Sequence, residues 1–328
     1  MTPILVTGGH GFIGRHVVRS LLRNGYVVRV VDINPADPEP GYEFVQGDLA
    51  DPNVALPSFR GVSLCIHLAS LVTGIGGFSR YPADILDANA RVTSSTFKAA
   101  LENRLDYIIY VSSSCVYDCT QAYPVREADL LAAPAPPAGY QFSKLLGEAY
   151  CKAYQSQHRL NYTIVRPFNV YGPGETPGRY PGESHVIPDL VTKILDGQNP
   201  LEIFGDGLQT RSFTHVDDIA RAFVNILQTP AARNTDFNVG AAQDISVLAL
   251  AALLWKICRG SEPLRVRHLP PFPFDVRRRA VDIAKAREVL GWEPTVRLSD
   301  GLEQVVNWIR EWRAQPRRPK VADKRVRS

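Results

Sequence analysis

The chain has 328 residues, 45% of them hydrophobic and 21% charged, enough apolar mass for one or two closely joined domains with a large core. No stretch approaches 18 consecutive apolar residues, and Met1 to Thr7 pass straight into an apolar strand without a basic lead or cleavage pattern. Neither a membrane span nor a signal peptide is expected, and a cytoplasmic protein is. The net charge of +4 sits at one end, because residues 316–328 carry a net +5 and the remainder about −1. With no apolar anchor and no nucleic-acid motif, that tail reads as a solvated, disordered end, so neither nucleic acid nor membrane is an expected partner. The five cysteines (Cys65, Cys115, Cys119, Cys151 and Cys258) are odd in number and lack CxxC spacing, which points to reduced thiols and to no metal site.

The first predicted strand, ILVTG (4–8), runs into TGGHGFIG (7–14) and then into a helical pattern. Gly8, Gly11 and Gly14 stand at G-x-x-G-x-x-G spacing between strand and helix, where glycines let backbone N–H groups approach a pyrophosphate at the helix N-terminus. The second strand (27–32) ends on Asp32, placed to hydrogen-bond adenosine ribose hydroxyls and to repel a 2′-phosphate, so the pattern favours NAD over NADP. Further β-branched runs follow at 42–49, 63–70, 107–114 and 162–172, with helical stretches at 83–103 and 140–158. The alternation predicts an α/β fold with a doubly wound parallel (Rossmann) sheet. In YQFSK (140–144) the helix projects Tyr140 and Lys144 from one face. An ammonium beside a phenol favours phenolate, which would fit Tyr140 as a base for a hydroxyl, with Ser113 at the end of the preceding strand able to bond the same oxygen.

After Tyr171 the texture changes. A Gly/Pro-rich loop (172–185) precedes a helix (186–197), strands at 201–207 and 211–216, a helix at 217–228, and a smaller mixed α/β region ending in a helix at 300–314. The expected division is a dinucleotide-binding domain over 1–172, to which 213–240 returns, a second domain from 173–212 and 241–315, and the tail.

Together, GGHGFIG (8–14), GDLAD (47–51), HLAS (67–70), SSS (112–114), YQFSK (140–144) and RPFNVYGP (166–173) make the chain resemble the extended short-chain dehydrogenases/reductases that act on nucleotide sugars, from about residue 3 to 312. The resemblance implies NAD held by Gly8, Gly11, Phe12, Ile13, Gly14 and Asp32. It also implies Asp48 and Leu49 beside the adenine, and Leu68, Ala69, Tyr140 and Lys144 along the rest of the cofactor. The second domain would then bind the nucleotide sugar, with Ser114, Asn169, Arg211 and Arg277 toward the substrate, the arginines on its pyrophosphate. Arg278 and Arg279 read instead as surface charge. A homodimer through helices 83–103 and 140–158 is implied as well.

Relatives that dehydrate sugars carry Asp and Glu before VY; here stand Ser114 and Cys115, which disfavours dehydration. Cys115 resembles the proton-exchange cysteine of GDP-mannose 3,5-epimerase and GDP-fucose synthase, and His185 in SHVIPDL resembles the second residue of the synthase, where the mannose epimerase carries Lys. The leading expectation is therefore an NAD-dependent epimerase that exchanges protons at carbon 3 or 5 beside a transient 4-keto group. A GDP-sugar is preferred over a UDP-sugar, and Cys115 is activated by a depressed pKa. The alternative is a 4-epimerase using only Tyr140, Ser113 and NAD, in which Cys115 is a small apolar residue and His185 an ordinary helix-start residue. A silent nucleotide-binding protein would be expected to lack Tyr140 or Lys144.

Overall fold

The computed structural model describes residues 2–35, 41–136, 139–180, 182–273 and 275–315; the basic tail expected at 316–328 lies outside them. The first part of the chain runs β1 (Ile4–Thr7), α1 (Phe12–Arg23), β2 (Val28–Asp32), β3 (Glu43–Gln46), α2 (Pro52–Ser58), β4 (Leu64–His67), α3 (Ile75–Arg80), α4 (Pro82–Glu102), β5 (Tyr107–Val111), α5 (Gly139–His158) and β6 (Asn161–Pro167). The second part runs β7 (Val170–Tyr171), α6 (Val186–Leu195), β8 (Leu201–Phe204), β9 (Thr210–Arg211), β10 (Thr214–His215), α7 (Val216–Gln228), β11 (Thr235–Val239), β12 (Ile245–Ser246), α8 (Val247–Arg259), β13 (Val266–Leu269), β14 (Arg278–Arg279), α9 (Ala284–Leu290) and α10 (Leu298–Ala314).

Seven strands form one parallel sheet in the order β11-β6-β5-β4-β1-β2-β3. This is the expected Rossmann arrangement, and the order reverses between β1 and β4, where a crevice opens at the strand C-termini. The strands are apolar almost throughout because helices cover both faces. On one face α1 presents Val17, Val18 and Leu21 to Val6, Val30 and Phe223, while Arg19 and Arg23 take its solvent side. On the other, α4 and α5 close over Phe59, Phe97, Cys151 and Ile164. The smaller lobe packs α6, α8 and α10 around Ile187, Leu250, Leu254, Val306 and Tyr171.

Two predicted strands are shorter than their apolar patterns. The run 201–207 stops at Phe204 because Gly205 and Gly207 turn at φ +73° and +75°. The run 211–216 splits: β9 joins β12 and β14, whereas β10 pairs with β7. The chain thereby crosses from the small lobe back to the large one within five residues, and α7 and β11 pack on the large sheet.

A buried charge cluster lies under the C-terminal end of β5. Arg166 donates to Glu148 through Nε (2.8 Å) and Nη2 (2.7 Å) and pairs with Asp236 (2.8 Å). The Ser112 hydroxyl donates to Glu148 at 2.6 Å, which fixes the backbone next to Ser113.

Candidate active site

A cleft of about 990 Å³ follows the crevice from the glycine joint to the small lobe. At its first end Gly8 takes φ +70° as the chain turns out of β1, and a Cβ there would lie 2.8 Å from the Ala69 nitrogen. A Cβ on Gly14 would sit 2.1 Å from the Gly8 carbonyl oxygen. The joint is thus closed so tightly that only glycine fits, and the first turn of α1 is left bare for an anion. Asp32 accepts from the backbone N–H groups of His10 (3.0 Å) and Asn34 (2.8 Å). His10 fills the loop position where a small residue would serve; it contacts the Asn34 carbonyl and the Tyr42 hydroxyl, both at 3.1 Å, and stacks on Phe44 at 4.6 Å. Phe12, Ile13, Asp48, Leu49, Leu68 and Ala69 line the same end. These features fit a dinucleotide: a Cβ-free cradle, an acidic residue one strand away and an apolar slot. Gly14→Ala should overpack the cradle by about 1–3 kcal/mol and weaken NAD binding roughly ten- to a hundredfold, as read by isothermal titration calorimetry.

At the middle of the cleft β5 ends and a 3-10 turn (Ser114–Tyr117) begins, capped by the Ser113 hydroxyl, which accepts from the Cys115 N–H at 3.2 Å. The turn places Ser113, Ser114 and Cys115 opposite Tyr140 and Lys144 of α5. Tyr140 is buried, and its ring stacks on Phe78 of α3 with centroids 4.7 Å apart and planes 8° from parallel. The Lys144 ammonium donates to the Val111 carbonyl at 3.0 Å, 5.8 Å from the Tyr140 ring centroid. Burial pushes Tyr140 up, aided by Cys115, and the groups that pull it down are Ser113 and Arg279. Burial also draws Lys144 down to about 8. Burial raises the Cys115 thiol, outweighing the pull of Arg279.

The small lobe supplies the far wall. His185 caps the start of α6 without a side-chain bond to that helix; its Nδ1 instead pairs with Glu175 in the Gly/Pro-rich loop. Burial alone would lower His185, but the charge and hydrogen bond of Glu175 more than offset it, and the imidazole rises above its ordinary value. Asn169 turns at φ +34° between β6 and β7, and its buried Oδ1 has no hydrogen-bond partner among the described residues. Arg211 on β9 is paired with Asp275 and donates to the Thr210 carbonyl at 2.7 Å. Burial and the neighbouring Arg279 pull its pKa down to about 10.

Arg277 is not brought to this wall. It grips the exposed Asp206 through both carboxylate oxygens at 2.7 Å, outside the main cleft. The arginine that enters is Arg279, read from sequence as surface charge, and it pairs with Asp118 of the large lobe. Glu175, Asp118, Gln141 and Phe78 are further cleft residues that sequence reading passed over.

With this geometry in place, comparison with known proteins is decisive at the family level. The sequence profile of the NAD dependent epimerase/dehydratase family matches residues 4–240. The chain belongs to that family. It is 34% identical over 314 residues to a putative UDP-glucose 4-epimerase of Methanocaldococcus jannaschii, covering 94% of this chain and 98% of the relative. It is 29% identical to GDP-L-fucose synthase 1 of Arabidopsis thaliana, covering 93% and 92%. Among solved structures, the UDP-glucose 4-epimerase of Thermotoga maritima with UDP-glucose superposes with a TM-score of 0.84 at 30% identity, covering 94% of this chain and 99% of that one. Members of the epimerase/dehydratase family are enzymes of nucleotide-sugar chemistry, and the family's cofactor is NAD. Among the described residues, no helix is long and apolar enough to cross a membrane.

Proposed function

We propose that the chain is an NAD-dependent nucleotide-sugar 4-epimerase, with a UDP-sugar as substrate. The observation that carries this reading is the buried Tyr140, which lines one cleft with Ser113, Lys144 and the glycine cradle. NAD, when bound on the cradle, supplies the acceptor and donor for the hydride at carbon 4. Tyr140 takes the proton of the carbon-4 hydroxyl and returns it after the ring has turned, and Ser113 holds that oxygen in place. Arg211 binds the pyrophosphate as a charged, pre-oriented fork, and the unpartnered Oδ1 of Asn169 accepts from the substrate.

The proton-exchange route expected from Cys115 and His185 is less well supported. The UDP-glucose 4-epimerases among the relatives, at 34% and 30% identity, favour the 4-epimerase route instead. The preference for GDP also weakens, because the UDP-glucose 4-epimerase relative is more similar than the GDP-L-fucose synthase. A homodimer through α4 and α5, with the protein in the cytoplasm, completes the proposal.

Incubating the protein with UDP-glucose in deuterated water, with GDP-mannose in parallel, tests both points by proton NMR. The expected product is UDP-galactose without deuterium at carbon 3 or 5. Label at either position, or turnover of GDP-mannose alone, would restore the Cys115/His185 reading.

A further inference from the structure

Helix α3 is too weak to hold its own place. Its six residues, Ile75–Arg80, include Gly76 and Gly77, each costing about 1 kcal/mol against alanine, and so short a helix is marginal in water. Contacts with the rest of the fold must therefore fix it, and they come from both lobes. On the large lobe the half-buried Phe78 lies flat on Tyr140, with centroids 4.7 Å apart and planes 8° from parallel. From the small lobe the Glu183 carbonyl accepts from the Gly74 N–H at 2.7 Å, and the Gly182 carbonyl from the Gly76 N–H at 3.0 Å. Arg80 adds a contact over the Tyr180 ring, 5.7 Å from its centroid. The two backbones approach so closely that a Cβ on Gly74 would lie 2.3 Å from the Gly182 oxygen. Gly182 itself turns at φ +77°, and a Cβ there would lie 2.9 Å from the Gly76 nitrogen. The element that covers Tyr140 is thus fastened across the cleft, through backbone groups that only glycine leaves accessible.

We propose that Phe78 is a positioning residue that acts through Tyr140 and is itself held in place by the small lobe. The stack fixes the lean and the plane of the phenol ring. A phenol O–H prefers its ring plane, so both the position of the oxygen and the direction of its proton follow. A reacting group misplaced by about 1 Å can cost roughly 10²-fold in rate, which makes such a support worth having. The tie at Gly182 and Glu183 lies in the loop that leads into His185 and α6. The state of the small lobe is therefore passed to the tyrosine through α3. The catalytic part of this inference rests on the reading of Tyr140 as the proton-transfer group.

Substitutions on the two sides of the cleft test it. Phe78→Leu keeps an apolar side chain but loses the stack, Phe78→Tyr keeps the stack, and Gly182→Ala pries the tie apart without altering either ring. The first readout is NMR of the NAD-loaded protein with carbon-13-labelled tyrosine rings, Tyr140 being assigned by its absence in Tyr140→Phe. A parallel ring at this distance shields the Tyr140 ring protons and moves them upfield. Phe78→Leu should abolish that shift, Phe78→Tyr should retain it, and Gly182→Ala should diminish it from the other lobe. The second readout is UDP-glucose epimerisation. There Phe78→Leu should lower kcat about tenfold or more with little change in KM, while Phe78→Tyr stays near wild type. If Gly182→Ala leaves the Tyr140 signals in place, or if Phe78→Leu abolishes the shift yet keeps the wild-type kcat, the inference falls. Signals that respond to both lobes in a protein that never turns over UDP-glucose would retire the 4-epimerase reading and leave the coupling through α3 standing. Turnover with Tyr140 signals indifferent to both substitutions would do the reverse.

Discussion

Tyr140→Phe should lower kcat for UDP-glucose epimerisation by about 10² to 10⁴, the usual contribution of a positioned proton-transfer group, while the protein still binds NAD. The substitution removes one oxygen and preserves the packing, because the ring that stacks on Phe78 at 4.7 Å remains. The glycine cradle and Asp32 lie at the other end of the cleft and are untouched. Activity is followed by coupled assay or NMR, and bound NAD by its absorbance after denaturation. Turnover within a fewfold of wild type would remove Tyr140 from the reaction and leave the proposed function without its base. Loss of NAD together with activity would show instead that the residue matters for the cofactor site alone.

The second large effect concerns stability. Arg166→Met should destabilise the fold by about 3–5 kcal/mol, because it leaves a carboxylate buried without its cation. Arg166 and Glu148 are each only 1% exposed and meet through two hydrogen bonds of 2.8 and 2.7 Å. The Glu148→Met/Arg166→Met double variant should recover more than half of the loss, since an apolar pair of similar volume lacks the stranded charge. Urea denaturation midpoints at fixed NAD concentration measure both. If the single variant costs less than about 1 kcal/mol, the pair is behaving as an exposed ion pair would, and the buried cluster does not hold β5, β6 and α5 together as the geometry indicates.

These two cases differ in how far the sequence alone could lead. Tyr140 and Lys144 are visible because four residues make one helical turn, and the glycine triad because strand, turn and helix are consecutive in the chain. The Arg166 cluster was not visible: its members come from α5, β6 and β11, separated by up to 88 residues between Glu148 and Asp236. Local patterns record local geometry, and a buried charge declares itself only when its partner is in place.

The run Arg277-Arg278-Arg279 makes the same distinction more sharply. Three identical side chains in a row carry no sequence signal for which one enters a site, and resemblance pointed to Arg277. Pairing of β14 with β9 puts Arg279 opposite Arg211, so Arg279 enters the cleft while Arg277 turns to Asp206 and Arg278 to Asp244. The acidity of Cys115 and Tyr140 was equally out of reach, because desolvation depends on everything packed around a group and not on its neighbours along the chain.

The sequence by itself determined the parallel sheet, the NAD cradle and the tyrosine–lysine turn, since each is written in the spacing of consecutive residues. Tertiary structure alone decided which arginine faces the cleft, where the lysine ammonium points and how far burial raises the thiol. Those depend on strand register and burial, which arise only when distant segments meet.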